Sequence, residues 1–206
     1  MQALLRTAAA AAALTLAAGA HAVVAAPFYE SASFVDESVA NGDYYIDATR
    51  FLGAGFTVSQ AEAVSAIGGN FTQYGDGNNI FGAIVKLDGN GGLQGQLSAN
   101  VVAEAVFTPT GGDQSVALNT VLQPGQYAVV FGSGLFGTTG SSGLVAGQAA
   151  IGSPSFLQYD GSGVSAFTGD TLRVTVNAVS AVPEPASALL FATGAMALGL
   201  LRRRRA

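Results

Sequence analysis

The sequence predicts an all-β protein: an antiparallel β-sandwich, jelly-roll-like or immunoglobulin-like, with an N-terminal signal peptide and a C-terminal transmembrane helix. Three observations predict it. Apolar residues between positions 27 and 180 recur at every second place, the period of a strand with one buried face. Clusters of Gly, Asn, Asp and Pro separate these runs, as turns separate short strands. An apolar segment stands at each end of the chain, and neither shares the alternation of the middle. The division is 1–26, 27–180 and 181–206.

The first segment, MQALLRTAAAAAALTLAAGAHAVVAAP, has the parts of a secretory signal peptide. Arg6 and the amino terminus form the positive end, Thr7 to Ala18 the apolar stretch, and small residues offer cleavage after Ala22 or Ala26. Cleavage after Ala26 leaves Pro27 at the head of a more polar segment. No twin-arginine pair is present, which points to the general secretion route. The single histidine, His21, falls in this segment.

The strands of the middle follow in order. RFLGAGFTV reads as a strand, and AEAVSAIGG as another with Ala63, Ser65 and Ile67 on one face. In IFGAIVKL, Phe81, Ala83, Val85 and Leu87 share a face, and Ile80 and Ile84 make the opposite face apolar too. VVAEAVF groups Val101, Ala103, Ala105 and Phe107, and QYAVVFG groups Tyr127, Val129 and Phe131. Gly132 to Gly152 holds seven glycines and few large apolar residues, so it reads as a long flexible loop with a poor strand near Leu144 to Ala146. SFLQYD adds a strand. In TLRVTVNA, Leu172, Val174 and Val176 point one way, and Arg173, Thr175 and Asn177 the other.

Composition excludes several chemistries. The chain has no Cys, hence no disulfide, thiolate metal site or cysteine nucleophile. With no histidine left in the middle, a Ser-His-Asp triad lacks its base and zinc lacks its usual ligands. Between Pro27 and Val182 only Arg50, Lys86 and Arg173 oppose twelve acidic residues, a net of −9 that repels nucleic acid. No phosphate-binding or dinucleotide glycine motif precedes a helix. No catalytic residue is assigned and no cofactor is expected.

Three weaker site readings remain. Asp76 and Asn78 in YGDGNN, with Asp88 and Asn90 in LDGNGG, supply oxygens of the kind calcium takes, although the same dipeptides make ordinary hairpin turns. Asp36, Glu37, Asp43 and Asp47 cluster in sequence, with Glu62 and Glu104 elsewhere, so a glycosidase-like carboxylate pair is a further reading. Tyr29, Tyr44, Tyr45, Tyr74 and Tyr159 are the candidate platforms for stacking a sugar, in a chain without Trp. Asn70-Phe71-Thr72 matches a glycosylation sequon, a tripeptide common by chance.

The last segment is the most specific. VPEPASALLFATGAMALGLLRRRRA sets Pro183-Glu184-Pro185 before an uncharged run, Ala186 to Leu201, and then Arg202, Arg203, Arg204 and Arg205. A helix of that length is about 24 Å long against a hydrocarbon core of about 30 Å, and it spans where the bilayer thins and flanking side chains snorkel. The arginines stay cytoplasmic by the positive-inside rule, which puts the folded middle across the membrane, in agreement with the signal peptide. Proline on both sides of Glu184 holds that stretch stiff and extended, the form proteases bind.

These residues, in this order, resemble the PEP-CTERM sorting signal of bacterial exported proteins. The resemblance implies that exosortase, a membrane-embedded cysteine protease or transpeptidase, recognises Pro183, Glu184 and Pro185 and removes the tail. Arg202 to Arg205 would then be a cytoplasmic stop and the destination the cell surface or an exopolysaccharide matrix. Segments such as RFLGAGFTVSQAEAVSAIGGNF and VLQPGQYAVVFGSGLFGTTG are also similar to other PEP-CTERM exported domains, and they carry no catalytic residue over. The expectation is a non-catalytic structural or adhesive surface protein. A carbohydrate-binding module for exopolysaccharide is the alternative, and a glycoside-active enzyme the third reading. The expected partners are exosortase, the secretion machinery, the membrane in transit and exopolysaccharide, with no nucleic acid.

Overall fold

The apolar faces of the central strands meet in one interior, which the computed structural model shows as two antiparallel sheets around one core. It describes residues 27–35, 42–72, 78–93, 95–161 and 163–179. The expected signal peptide, the C-terminal tail and residues Asp36, Glu37, Tyr74 and Asp76 lie outside them. The strands are β1 (Tyr29–Glu30), β2 (Ala32–Ser33), β3 (Asp43–Ile46), β4 (Phe51–Val58), β5 (Glu62–Phe71), β6 (Ile80–Lys86) and β7 (Val101–Phe107). Then come β8 (Gly112–Leu122), β9 (Gly125–Gly132), β10 (Ser142–Val145), β11 (Ala149–Ala150), β12 (Ser155–Tyr159), β13 (Val164–Ala166) and β14 (Val174–Ala178). Among the described residues the helical element is one 3-10 turn, Leu97–Asn100.

The first sheet runs β1-β14-β5-β10-β3, with β8 on the other side of β5, and the second runs β13-β12-β4-β9-β6-β7. A two-stranded ribbon, β11-β2, accompanies them. Four antiparallel pairs are nested in sequence: β6 with β7, β5 with β8, β4 with β9 and β3 with β10. The chain from β3 to β10 is thus one long hairpin. It is wound so that its pairs alternate between sheets, and β9–β6 and β10–β5 join the turns of the winding.

Leu52, Phe56, Val64, Ile67, Phe71, Ile84, Leu122, Val129, Phe131, Leu144, Val174 and Val176 meet in the core, drawn from both sheets. Burying such side chains contributes roughly 1.5–3 kcal/mol each against leaving them exposed. A second apolar layer covers the outer face of the second sheet. There Phe51, Phe81, Ala83, Val85, Leu87, Ala128, Val130 and Leu157 of β12 pack with Leu97 of the 3-10 turn. That is why β6 and β9 read as apolar on both faces.

Three local expectations need correction. Alternation in β5 breaks at a register shift between Val64 and Ala66, so Val64 joins Ile67 in the core and Ser65 does not. A shift between Ile84 and Val85 places Val85 opposite Val101, so Val101 packs with the outer layer and Ala103, Ala105 and Phe107 with the core. Both are bulges, which invert the side-chain sense beyond them. The glycine-rich stretch after Gly132 contains β10, every residue of which is buried between β3 and β5. Gly143 has no side chain because a Cβ there would fall on the carboxylate of Asp43, with the Thr72 hydroxyl 2.8 Å away. The strand is built by its neighbours rather than by its own propensity.

Tyr29 stacks on Phe56 with ring centroids 5.2 Å apart, and its hydroxyl is buried without a hydrogen-bond partner. Burial pushes that hydroxyl up to about 12 from 10.0. The raised value means that the contribution of Tyr29 to stability is full below pH 10.0 and is lost as pH rises to about 12, because the unfolded phenol ionises first. Tyr29→Phe removes an unpaired polar atom. It is expected to leave stability at pH 7 unchanged or raised by up to about 1 kcal/mol, and to flatten the alkaline loss. Urea unfolding at neutral and alkaline pH checks both.

Candidate functional site

The polar groups collect on the outer face of the first sheet. Arg173, next to β14, points away from the core and is nearly buried. Its Nε and Nη2 donate to the two carboxylate oxygens of Asp113 at 2.7 and 3.1 Å, a bidentate pair. Its Nη1 donates to Glu30 of β1 and to the carbonyl of Ala32. One guanidinium thereby ties the first strand, the last strand and β8. Burial raises the Asp113 carboxyl above its ordinary value and lowers the Arg173 guanidinium from its own. Desolvation acts against the charged form at both groups, and the further hydrogen bonds of the guanidinium to Glu30 and the Ala32 carbonyl satisfy what burial takes from water.

That covering segment is Ser31–Val35. Gln148 donates to the carbonyl of Val35 and accepts from its N–H, and the Asn70 amide reaches the same carbonyl. Asn70 and Thr72 are 0% and 2% exposed, so the sequon is sealed inside the folded domain. Asn70 Oδ1 and Asp43 Oδ2 are buried without a hydrogen-bond partner.

The candidate calcium ligands do not converge. Asn78 precedes β6 and Asp88 and Asn90 follow it, so about 20 Å of strand separates them. Asp88 Oδ1 accepts the N–H groups of Asn90 and Gly92, both at 2.9 Å, and so closes its own turn. Among the described residues no group of three His, Cys, Asp or Glu side chains could hold a metal. The carboxylates are likewise apart. Asp47 closes a turn by accepting from the N–H and hydroxyl of Thr49 and the N–H of Arg50. Slight burial raises the Asp47 carboxyl, and those hydrogen bonds with the Arg50 charge outweigh it and hold it below its ordinary value. Glu62 lies on β5 of the first sheet and Glu104 on β7 of the second.

The tyrosines divide as well. Tyr29 and Tyr44 pack against the core, Tyr44 edge-on to Phe167. Tyr45 is exposed on the outer face of the first sheet. Tyr159 stacks on Phe51 over the outer face of the second sheet and donates to the Gly161 carbonyl. It rims a shallow apolar cleft formed with Phe51, Val85, Leu93, Leu97 and Leu157. Tyr45 and Tyr159 thus face away from each other and form no common platform.

The remaining site residues, Pro183, Glu184, Pro185 and Arg202 to Arg205, lie outside the described residues. Their identity rests on comparison. Residues 181–205 match the PEP-CTERM protein-sorting motif. The chain ends in an exosortase sorting signal. The matched span includes Pro183-Glu184-Pro185, the uncharged run and all four arginines. No curated protein matches the chain at a significant level. Among the described residues no helix is long and apolar enough to cross a membrane. The PEP-CTERM signal supports export and exosortase sorting at the cell surface. The buried ion cluster on Arg173 escaped sequence reading, because its acids stand 60 and 143 positions away.

Proposed function

We propose that this is a non-catalytic structural or adhesive protein of the cell surface or extracellular matrix. It would be exported behind a cleaved signal peptide and freed from its PEP-CTERM tail by exosortase. The observation that carries the proposal is the PEP-CTERM motif at 181–205, directly behind a β domain whose last described strand ends at Ala178. A cut near Pro183 leaves every described strand intact. β1 pairs antiparallel with β14, Tyr29 opposite Val176, so the chain enters and leaves the described fold at one edge. That suits a domain held by both ends during export.

For the fold, the nested pairs favour the jelly-roll-like reading of the β-sandwich over the immunoglobulin-like one. In β3 to β10 most connections pass from one sheet to the other, which is how a hairpin rolls into two facing Greek keys. For the non-catalytic role, the support is that four of the described acids have structural partners: Asp47 and Asp88 in turns, Glu30 and Asp113 on Arg173.

Two experiments test the reading. Replacing Pro183-Glu184-Pro185 with alanines in the host should hold the full-length protein in the membrane fraction; unchanged release would contradict the sorting role. Passing the released protein over a panel of polysaccharides should give no retention. Retention lost in Tyr45→Ala or Tyr159→Ala would favour the carbohydrate-binding alternative.

A further inference from the structure

The sheets have unequal edges. β1, β3 and β13 are edges of two, four and three residues, too short to template a partner. Two long edges remain: β7, with seven residues, and β8, with eleven, bonded on one side to β5.

The free side of β8 presents backbone groups in a fixed sense. Asn70 N–H donates to the Arg173 carbonyl, away from β8. Asn70 and Asp113 are therefore a non-hydrogen-bonded pair, and Asp113 turns its N–H and C=O outward. Ser115 and Ala117 do the same by alternation. The pairing with β5 is regular from Gly112 to Ala117 and shifts register only beyond. Natural edges are blunted with Lys, Pro or inward charge. The β8 sequence, GDQSVALNTVL, contains no Lys, Arg or Pro, and its single charge, Asp113, is held by Arg173.

We propose that the free edge of β8 pairs with β8 of a second copy of this chain, antiparallel about Ser115. In that register Ser115 meets Ser115 and the charge of Asp113 meets the small neutral Ala117, so no like charges oppose. The other long edge is closed to the same arrangement. A two-fold pairing of β7 about its centre sets Glu104 against Glu104, exposed and directly opposed, which is destabilising. The two first sheets then continue into each other through a symmetric contact, the commonest form of homodimer.

The absence of cysteine from the chain makes the test direct. Ser115→Cys changes one atom, and in a hydrogen-bonded antiparallel pair the two Cα atoms stand about 5.5 Å apart, within disulfide reach. In the full-length protein in detergent under mild oxidation, Ser115→Cys is expected to give a covalent dimer at least about tenfold faster than Glu104→Cys. Sedimentation of the unmodified chain should show a monomer–dimer equilibrium, which Ala117→Lys shifts to monomer by about tenfold or more in Kd. Equal rates of cross-linking at positions 115 and 104 would overturn the proposal. So would a chain that stays monomeric at all concentrations, which would leave the β8 edge to a different protein. The Ser115→Cys comparison stands even if Ala117→Lys impairs folding.

Discussion

Gly53→Ala will cost about 3 kcal/mol or more of stability, at the upper end of overpacking effects. A Cβ at residue 53 would lie 2.0 Å from the carbonyl oxygen of Val129 and 2.9 Å from its carbon, and 3.0 Å from the Cα of Val130. All three atoms belong to the backbone of β9, which is hydrogen-bonded to β4 on one side and β6 on the other. Nothing there can rotate aside; relief requires parting β4 from β9. Gly55 is the control two residues along, on the same face of the same strand. Its Cβ would meet nothing closer than 3.6 Å. Gly55→Ala should stay within about 1 kcal/mol of the parent, because the unfolded chain loses entropy as well. Urea midpoints of the two variants check the contrast, and equal midpoints would contradict the packing described at β9.

The second large effect is at Arg173. Arg173→Met keeps the aliphatic stem and leaves Asp113 and Glu30 partly buried without their cation. Breaking a buried pair costs roughly 3–5 kcal/mol, and the lower figure applies here because the Asp113 side chain is 42% exposed. Unpaired, the Asp113 carboxyl, already raised by burial, has its folded value raised further. The variant is therefore least penalised at acid pH, and its deficit grows as pH rises through the carboxylate range. Adding Asp113→Asn and Glu30→Gln should recover most of the loss at pH 7. A deficit independent of pH, with no recovery in the triple variant, would mean that Arg173 acts through packing alone.

What could be read from the sequence depended on whether the signal was local. β9 and β14 alternate without interruption, so Tyr127, Val129, Phe131, Leu172, Val174 and Val176 were assignable to one interior from period alone, and all six are in the core. The sorting motif is linear, and its match needs no tertiary information. Alternation failed at Ser65 and Val101, because a bulge leaves no mark in composition yet reverses the faces beyond it. The poor strand expected near Leu144 to Ala146 is there as β10, but it begins earlier, at Ser142 and Gly143, which have weak strand preference and are held by β3 and by Asp43 lying over Gly143. The two oxygen-bearing turns, at Asn78 and at Asp88 with Asn90, stand at opposite ends of β6, a separation that sequence proximity does not show. The nested pairing of β3 to β10, and the acids gathered on Arg173, are matters of contact across the chain and were not legible residue by residue.

The claim that unites these observations is that the β domain is the working protein and residues 181–205 are its address. Intact mass and terminal peptides of the protein from the cell-surface fraction of its own host test it most directly. The account predicts a chain that begins after Ala22 or Ala26 and ends near Pro183, without the uncharged run and the arginines. A surface protein that still carries Arg202 to Arg205 would contradict it.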